Sequence, residues 1–426
     1  MKYAIIGFGC AGYHAAKAIR QTDSQGEIHV FEAGDAPPAN PMLTTYYAAD
    51  KLPASALYPF GGLEEIAGTY RLRIHTGAPV EKIDAENRAV ILSSGQIHPF
   101  DRILISTGAR AFLPGIEGLP DSRVFLMRTV GDAQALRDRL EKGDIRHAVV
   151  VGASMVGIKV AELIWKADIP VTLADGADYL FPLAAFAPVA REIERRLVDQ
   201  GYAFKWGAPV KGITPQGVTF ADGETLSADL ICICIGTRAN VELVANTQVV
   251  EGQPIAVNRG IVADETMATS CPGIYAAGDC CEGINLQTGQ TMIIGLWANA
   301  ASQGETAGKN MAGGSCRYPG NIVHNITHFM DMDFIGLGDN RLEGETISCG
   351  ALDGDFYIQA TLREKRLQCV NILGNHRISG ALKSLLIRQI NGQSTRIAPA
   401  QRAMLLSQGL SSDFLNRIGG IGDGHN

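Results

Sequence analysis

The sequence predicts an α/β protein: two three-layer units built on parallel sheets, followed by a small α+β unit. Three observations carry this expectation. An apolar strand that runs into a glycine-spaced loop and then a helical pattern occurs twice, beginning near Tyr3 and near His147. A further apolar strand, "GIYAAGD", follows both and ends in an acidic turn. From about Asn325 the texture changes to several alternating strands and then a helix or two.

Composition narrows the class. At 426 residues the chain exceeds one small core, so two or three domains are expected. A net charge of −7 argues against general nucleic-acid binding, which demands a basic face. No apolar run is long enough to span a bilayer. "KYAIIGFG" enters a glycine loop before a secretory segment can build up, so a cytoplasmic protein without membrane partners is expected. Nine cysteines form no Cys-x-x-Cys pair, which leaves zinc-ligand and thioredoxin-type spacing missing, and no metal site is expected. Cys232 and Cys234 alternate on one strand and read as small buried hydrophobes.

The first loop is Gly7-x-Gly9-x-x-Gly12 in "YAIIGFGCAGYHAAKAIR". Glycines there let the backbone turn tightly and approach a pyrophosphate, whose charge a helix N-terminus favours. A glycine pattern alone is weak evidence. Here "EIHVFEAGD" adds a second strand ending in Glu32, a carboxylate suited to the hydroxyls of an adenosine ribose. The second loop is Gly152-x-Ser154-x-x-Gly157, and its second strand, "IPVTLADG", ends in Asp175. That acid suits a ribose with a free 2′-hydroxyl and would repel a 2′-phosphate, and no arginine follows it, so NADH is expected over NADPH. In the third signature, Gly278-Asp279 places a carboxylate at a strand's C-terminal edge, where ligands of α/β sheets bind.

With these signatures in order, the chain resembles the pyridine nucleotide-disulfide oxidoreductase superfamily. "GFGCAG", "LISTGARAFLPGI", "RTVGDAQAL", "VVVGASMVG", "ICICIGTRAN", "GIYAAGDCCE" and "LWANAASQGETAGKNMAG" carry the resemblance over nearly the full length. It implies two Rossmann-like nucleotide-binding domains: FAD on residues 1–117 and 241–322, NAD(H) on an insert at 118–240, then an α+β domain at 323–415 and a flexible tail at 416–426. By the same resemblance, Gly7, Gly9, Cys10, Ala11, Gly12, Glu32, Ala33, Thr44, Val80, Thr107, Gly108, Asp279 and Trp297 would hold FAD. Gly152, Ser154, Met155, Val156, Gly157, Asp175 and Gly236 would hold the nicotinamide nucleotide.

The C-terminal segment is closest in style to rubredoxin and ferredoxin reductases and to the flavoprotein part of NADH-nitrite reductases. "FYIQATL" alternates and "REKR" offers a turn, which together predict a hairpin. His324 and His328 have the spacing of a helical metal pair, but the segment reads as extended, so they are expected to be plain surface or core residues. Charge is segregated: Asp331 to Asp355 holds seven acids and one arginine, whereas Arg363 to Arg402 holds eight bases and one glutamate. Two solvated faces or a subunit contact explain this, as would a basic docking surface for an acidic electron carrier.

One stretch departs from the resemblance. In disulfide-using relatives a cysteine precedes a Tyr-Tyr pair, and aligning Tyr46-Tyr47 puts Met42 there; a thioether forms no thiolate. In ferredoxin and rubredoxin reductase relatives the loop carries a lysine paired with a glutamate, and here Thr45 and Lys159 stand at those positions. Thr45 and Lys159 are therefore the candidate residues beside the flavin, with Lys159 expected either to supply positive charge there or to face solvent beside Glu162. The expected reaction is NADH-to-FAD hydride transfer followed by electron delivery to a small redox protein. Direct reduction of a small molecule or dioxygen, and a flavin-bearing subunit of a larger complex, are the competing readings. A homodimer is compatible with the resemblance.

Overall fold

The computed structural model describes residues 1–245, 254–393 and 396–419. Its first sheet is five-stranded and parallel, ordered Ile274–Ala276, Arg102–Ile105, Lys2–Ile6, Glu27–Phe31, Leu72–His75. The inner strands are buried on both faces, which is why they read as continuous apolar runs rather than alternating ones. Helix Cys10–Thr22 and helix Trp297–Met311 cover one face and touch backbone to backbone. A Cβ built on Gly304 would sit 2.2 Å from the Ala11 carbonyl oxygen, and one on Gly308 would sit 2.5 Å from that of Ala15. The small residues of "ASQGETAGK" make this approach possible.

The second parallel sheet runs Ala203–Lys205, Val171–Ala174, Ala148–Val151, Leu230–Ile233, Val124–Phe125. Between the two sheets the chain leaves on Ala109–Ala111 and returns on Thr237–Ala239, and these pair antiparallel as a narrow ribbon. At its base the Thr107 hydroxyl donates to the Asn240 carbonyl at 2.8 Å, and the Asn240 amide donates to the Thr107 carbonyl at 2.8 Å.

The C-terminal part is a five-stranded antiparallel sheet, ordered His324–Phe329, Met332–Leu337, Arg366–Leu373, Tyr357–Arg363, Glu345–Gly350. Helices Ser379–Ile390, Pro399–Ser407 and Ser412–Gly419 bury Leu382, Leu386, Leu405 and Phe414 against it. The architecture is the predicted α/β class with an α+β unit after it. The hairpin at "REKR" turns on Glu364 and Lys365, both at positive φ (52° and 61°), the twist that tight antiparallel hairpins favour. His324 and His328 lie in an edge strand. Of the tail expected from Asn416, the first residues extend helix Ser412–Gly419, and those from 420 onward lie outside the described residues. Among the described residues, no helix is long and apolar enough to cross a membrane, and no cluster of three or more His, Cys, Asp or Glu could hold a metal ion.

Candidate functional site

The loops at the C-terminal ends of the first sheet enclose a groove of about 740 Å³. Gly7, Gly9, Cys10, Ala11, Glu32, Ala33, Thr44, Val80, Thr107, Gly108, Asp279 and Trp297 all line it, so the structure gathers residues spread across nearly 300 positions. Gly12 lies beneath the loop instead. A Cβ on Gly12 would meet the Gly7 carbonyl oxygen at 2.3 Å, and Gly7 itself has φ +90°. Gly9 differs, because a Cβ there would meet nothing within 4 Å. Its bareness serves no packing inside the protein and leaves the first turn of helix Cys10–Thr22 open to a phosphate. The Glu32 carboxylate is fixed by the Phe8 amide at 2.7 Å and the Gly34 amide at 3.2 Å, and so stands at the strand end facing the groove.

Two groove residues have no signal that local reading could find. Arg128 donates to Asp279 at 2.7 Å and to the Ala109 carbonyl at 3.0 Å, tying the third signature to the ribbon. Asn240 lines the same wall. Both sit within quoted motifs, "RTVGDAQAL" and "ICICIGTRAN", but their partners lie 151 and 133 residues away. Trp297 stacks on Phe60, which stacks in turn on Tyr13.

The second glycine loop is built in the same way. Gly152 has φ +121°, and a Cβ on Gly157 would come 2.0 Å from the Gly152 carbonyl oxygen. Ser154, at the middle glycine position, caps helix Met155–Trp165: its hydroxyl accepts from the Gly157 amide at 3.0 Å and donates to the Cys234 carbonyl at 2.8 Å. Met155 and Val156 open that helix, with Val156 exposed. Asp175 accepts from the Ala153 amide at 2.6 Å and the Ala177 amide at 2.8 Å, which places its carboxylate beside the loop. Gly236, at φ +107°, has open space where a side chain would be.

Residues 1–304 match the family model described as pyridine nucleotide-disulphide oxidoreductase. The chain belongs to this family. It is 29% identical over 285 residues to the nitric oxide reductase FlRd-NAD(+) reductase of Vibrio vulnificus (strain CMCP6), covering 65% of this chain and 71% of the relative. It is 26% identical over 345 residues to the NADH oxidase of Methanocaldococcus jannaschii, covering 79% and 76%. Among solved structures, the covalent putidaredoxin reductase–putidaredoxin complex superposes with a TM-score of 0.81 at 25% identity, covering 90% of this chain and 92% of the other. As a pyridine nucleotide-disulphide oxidoreductase, the chain is an NAD(H)-dependent flavoprotein reductase with FAD and NAD(H) as cofactors. The open Gly9, the uncapped helix start and the oriented Glu32 fit FAD in the groove.

In this member of the pyridine nucleotide-disulphide oxidoreductases, Thr45 and Lys159 share a wall away from that groove. The short helix Thr44–Ala48 separates the two spaces: Thr44 lines the groove, and Thr45 lines a second cavity together with Lys159. Lys159 is buried rather than solvent-facing. Its ammonium donates to Glu162 and to the His328 carbonyl at 2.8 Å, and stands 4.9 Å from the centre of the Tyr46 ring. Burial pushes the Lys159 pKa down. Burial would raise that of Glu162, but hydrogen bonds from Lys159 and Lys166 outweigh it and hold the carboxyl at about 2. A lysine–glutamate pair is thus made within one helix, at i and i+3.

The cysteines sit elsewhere. Cys10 is at the groove, yet burial and then the charge of Asp279 push its thiol up to about 12, so it stays protonated. Cys280 and Cys281 are fully buried under the Gly-Asp turn. Met42 is exposed at the groove's edge.

Proposed function

We propose that the protein is an NADH-dependent flavin reductase that delivers electrons to a small redox protein of rubredoxin or ferredoxin type, without a redox-active cysteine. The observation that carries this reading is the make-up of the groove wall, where Met42 stands in place of a potential thiol and, among the described residues, the one lining cysteine is Cys10, whose thiol is pushed up to about 12 by burial and by Asp279. When bound, the flavin supplies the conversion of a two-electron donor into one-electron release. The protein's part is to bind and orient. Gly9 to Ala11 offer backbone N–H groups to a pyrophosphate, Glu32 and Asp279 take up hydroxyls, and Arg128 holds Asp279 in place. Asp175, followed by no Arg or Lys before Arg191, favours a ribose with a free 2′-hydroxyl and hence NADH. The hairpin end at Arg363, Lys365 and Arg366 is exposed and offers a basic landing point for an acidic carrier. The relative solved in complex with putidaredoxin supports a protein acceptor.

Direct reduction of dioxygen is the second reading, favoured by the similarity to an NADH oxidase over 79% of the chain. Anaerobic mixing of the FAD-loaded protein with NADH tests the first step and should bleach the flavin absorbance. Thiol alkylation beforehand should leave the rate unchanged. Turnover with ferredoxin or rubredoxin should then exceed oxygen uptake. A half-reaction stopped by alkylation would refute cysteine-free transfer, and oxygen uptake equal to every carrier rate would favour the second reading.

A further inference from the structure

Helices Thr44–Ala48, Val130–Glu141 and Met155–Trp165 surround a cavity of about 330 Å³ that shares no lining residue with the dinucleotide groove. Its charged end is built on one buried carboxylate. Glu162 Oε2 accepts from Lys159, while Oε1 accepts from Lys166 at 2.7 Å and from the Met330 amide at 3.3 Å, with the Lys51 ammonium 3.8 Å away. Three ammonium groups therefore converge on a single negative charge, two of them at the same oxygen. Like charges this close repel, and Glu162 can neutralise only one of them. Elsewhere on the walls Arg137 is shared between two exposed carboxylates, Asp50 at 3.0 Å and Glu141 at 3.2 Å, and Asp331, outside the lining, also acts on Lys166. The lining also offers apolar surface from Leu140, Leu163 and the ring of Tyr46, whose centre is 4.9 Å from the Lys159 ammonium and 5.9 Å from that of Lys51.

We propose that this cavity binds a small organic carboxylate. Its anionic head would lie on Lys51 and Lys166, whose side chains are 41% and 44% exposed and keep N–H groups free to donate. Its apolar body would lie against Leu140, Leu163 and Tyr46. An incoming carboxylate relieves the repulsion at Glu162 Oε1 and covers apolar surface in the same step. A bare oxyanion gains only the first of these, so an apolar body is part of the recognition. The site needs nothing of the electron route proposed above, because Thr45, not Thr44, faces it.

The test is calorimetric titration of the FAD-loaded protein, saturated with NAD⁺ so that both dinucleotide loops are filled, with benzoate at fixed ionic strength. Acetate and inorganic phosphate serve as comparisons. Benzoate should bind saturably, one per chain, and more tightly than either. The Lys51→Met/Lys166→Met double variant should weaken it at least about tenfold, the loss expected for a charge-assisted pair. Ala167→Phe, which fills the mouth and leaves every charge in place, should weaken it as well. Lys211→Met, at an exposed position of strand Val210–Thr214 that does not line the cavity, should change nothing. Absence of saturable benzoate binding would overturn the proposal, as would phosphate binding as tightly as benzoate, or an affinity unchanged in both cavity variants. Bleaching of the flavin by NADH is read separately, so failure here leaves the reductase reading standing.

Discussion

Replacing Gly304 by alanine should damage FAD binding although residue 304 does not line the groove. The added Cβ would lie 2.2 Å from the Ala11 carbonyl oxygen and 2.8 Å from the Ala11 Cα. Ordinary van der Waals contact begins about 1 Å further out, and neither neighbour can rotate away because both are backbone. Helix Cys10–Thr22 must therefore shift by about 1 Å, or helix Trp297–Met311 must. Overpacking of this kind costs about 1–3 kcal/mol. The shift falls on the first helical turn, where Cys10 and Ala11 form the groove wall, so the pyrophosphate contact is displaced with it. Two assays read the effect: urea unfolding should show a loss within that range, and flavin fluorescence titration of the apoprotein should show FAD affinity falling about tenfold or more. Gly380→Ala is the control. It lies in helix Ser379–Ile390 with nothing within 4 Å of its Cβ, and should be neutral or slightly stabilising. A Gly304→Ala protein with unchanged stability and unchanged FAD affinity would show that the backbone contact does not set the groove.

Glu162→Gln should destabilise the fold by about 3 kcal/mol in urea unfolding, because Lys159 would stay buried without its counter-charge. In the unchanged protein the Glu162 carboxyl titrates lower when folded, so its contribution is complete above about 4.5 and fades as pH falls toward about 2. His324 works at milder acidity: burial, with Lys383 beside it, lowers its pKa to about 4, so the folded state binds fewer protons than the unfolded chain near 6.5. Stability should accordingly drop as pH falls from about 6.5 to 4, by at most about 3 kcal/mol, and His324→Gln should flatten that slope in pH-dependent melting. Asp175→Ala should raise the KM for NADH and narrow the NADH-to-NADPH preference about tenfold in steady-state assays, by removing the carboxylate that repels a 2′-phosphate.

Both parallel sheets were legible because each announces itself locally: a buried strand, glycines at fixed spacing, a helix, and an acid at the end of the next strand. The residues that needed tertiary structure are those whose partners are remote. Arg128 is an unremarkable base until the fold brings it to Asp279. Gly304 and Gly308 look like weak helix residues until Ala11 and Ala15 are laid against them. Lys159 and Glu162 are visible neighbours at i and i+3, a spacing that on a solvent face is worth only a few tenths of a kcal/mol. What buries them is the C-terminal sheet, whose His328 carbonyl and Met330 amide close over the pair, and nothing within helix Met155–Trp165 encodes that cover. The extended character of the segment around His324 and His328 was readable in the sequence, but its placement over that helix was not.

The paired segments Ala109–Ala111 and Thr237–Ala239 have a mechanical meaning. The chain enters and leaves the second sheet's unit through these two adjacent strands, locked at the root by Thr107 and Asn240, while Arg128 on Asp279 and the C-terminal sheet on Lys159, Phe186 and Ala184 hold that unit at further points. Because Thr107 and Asn240 also line the dinucleotide groove, the lock that joins the two sheets' units is part of the groove wall, and a change at either residue would be felt at both.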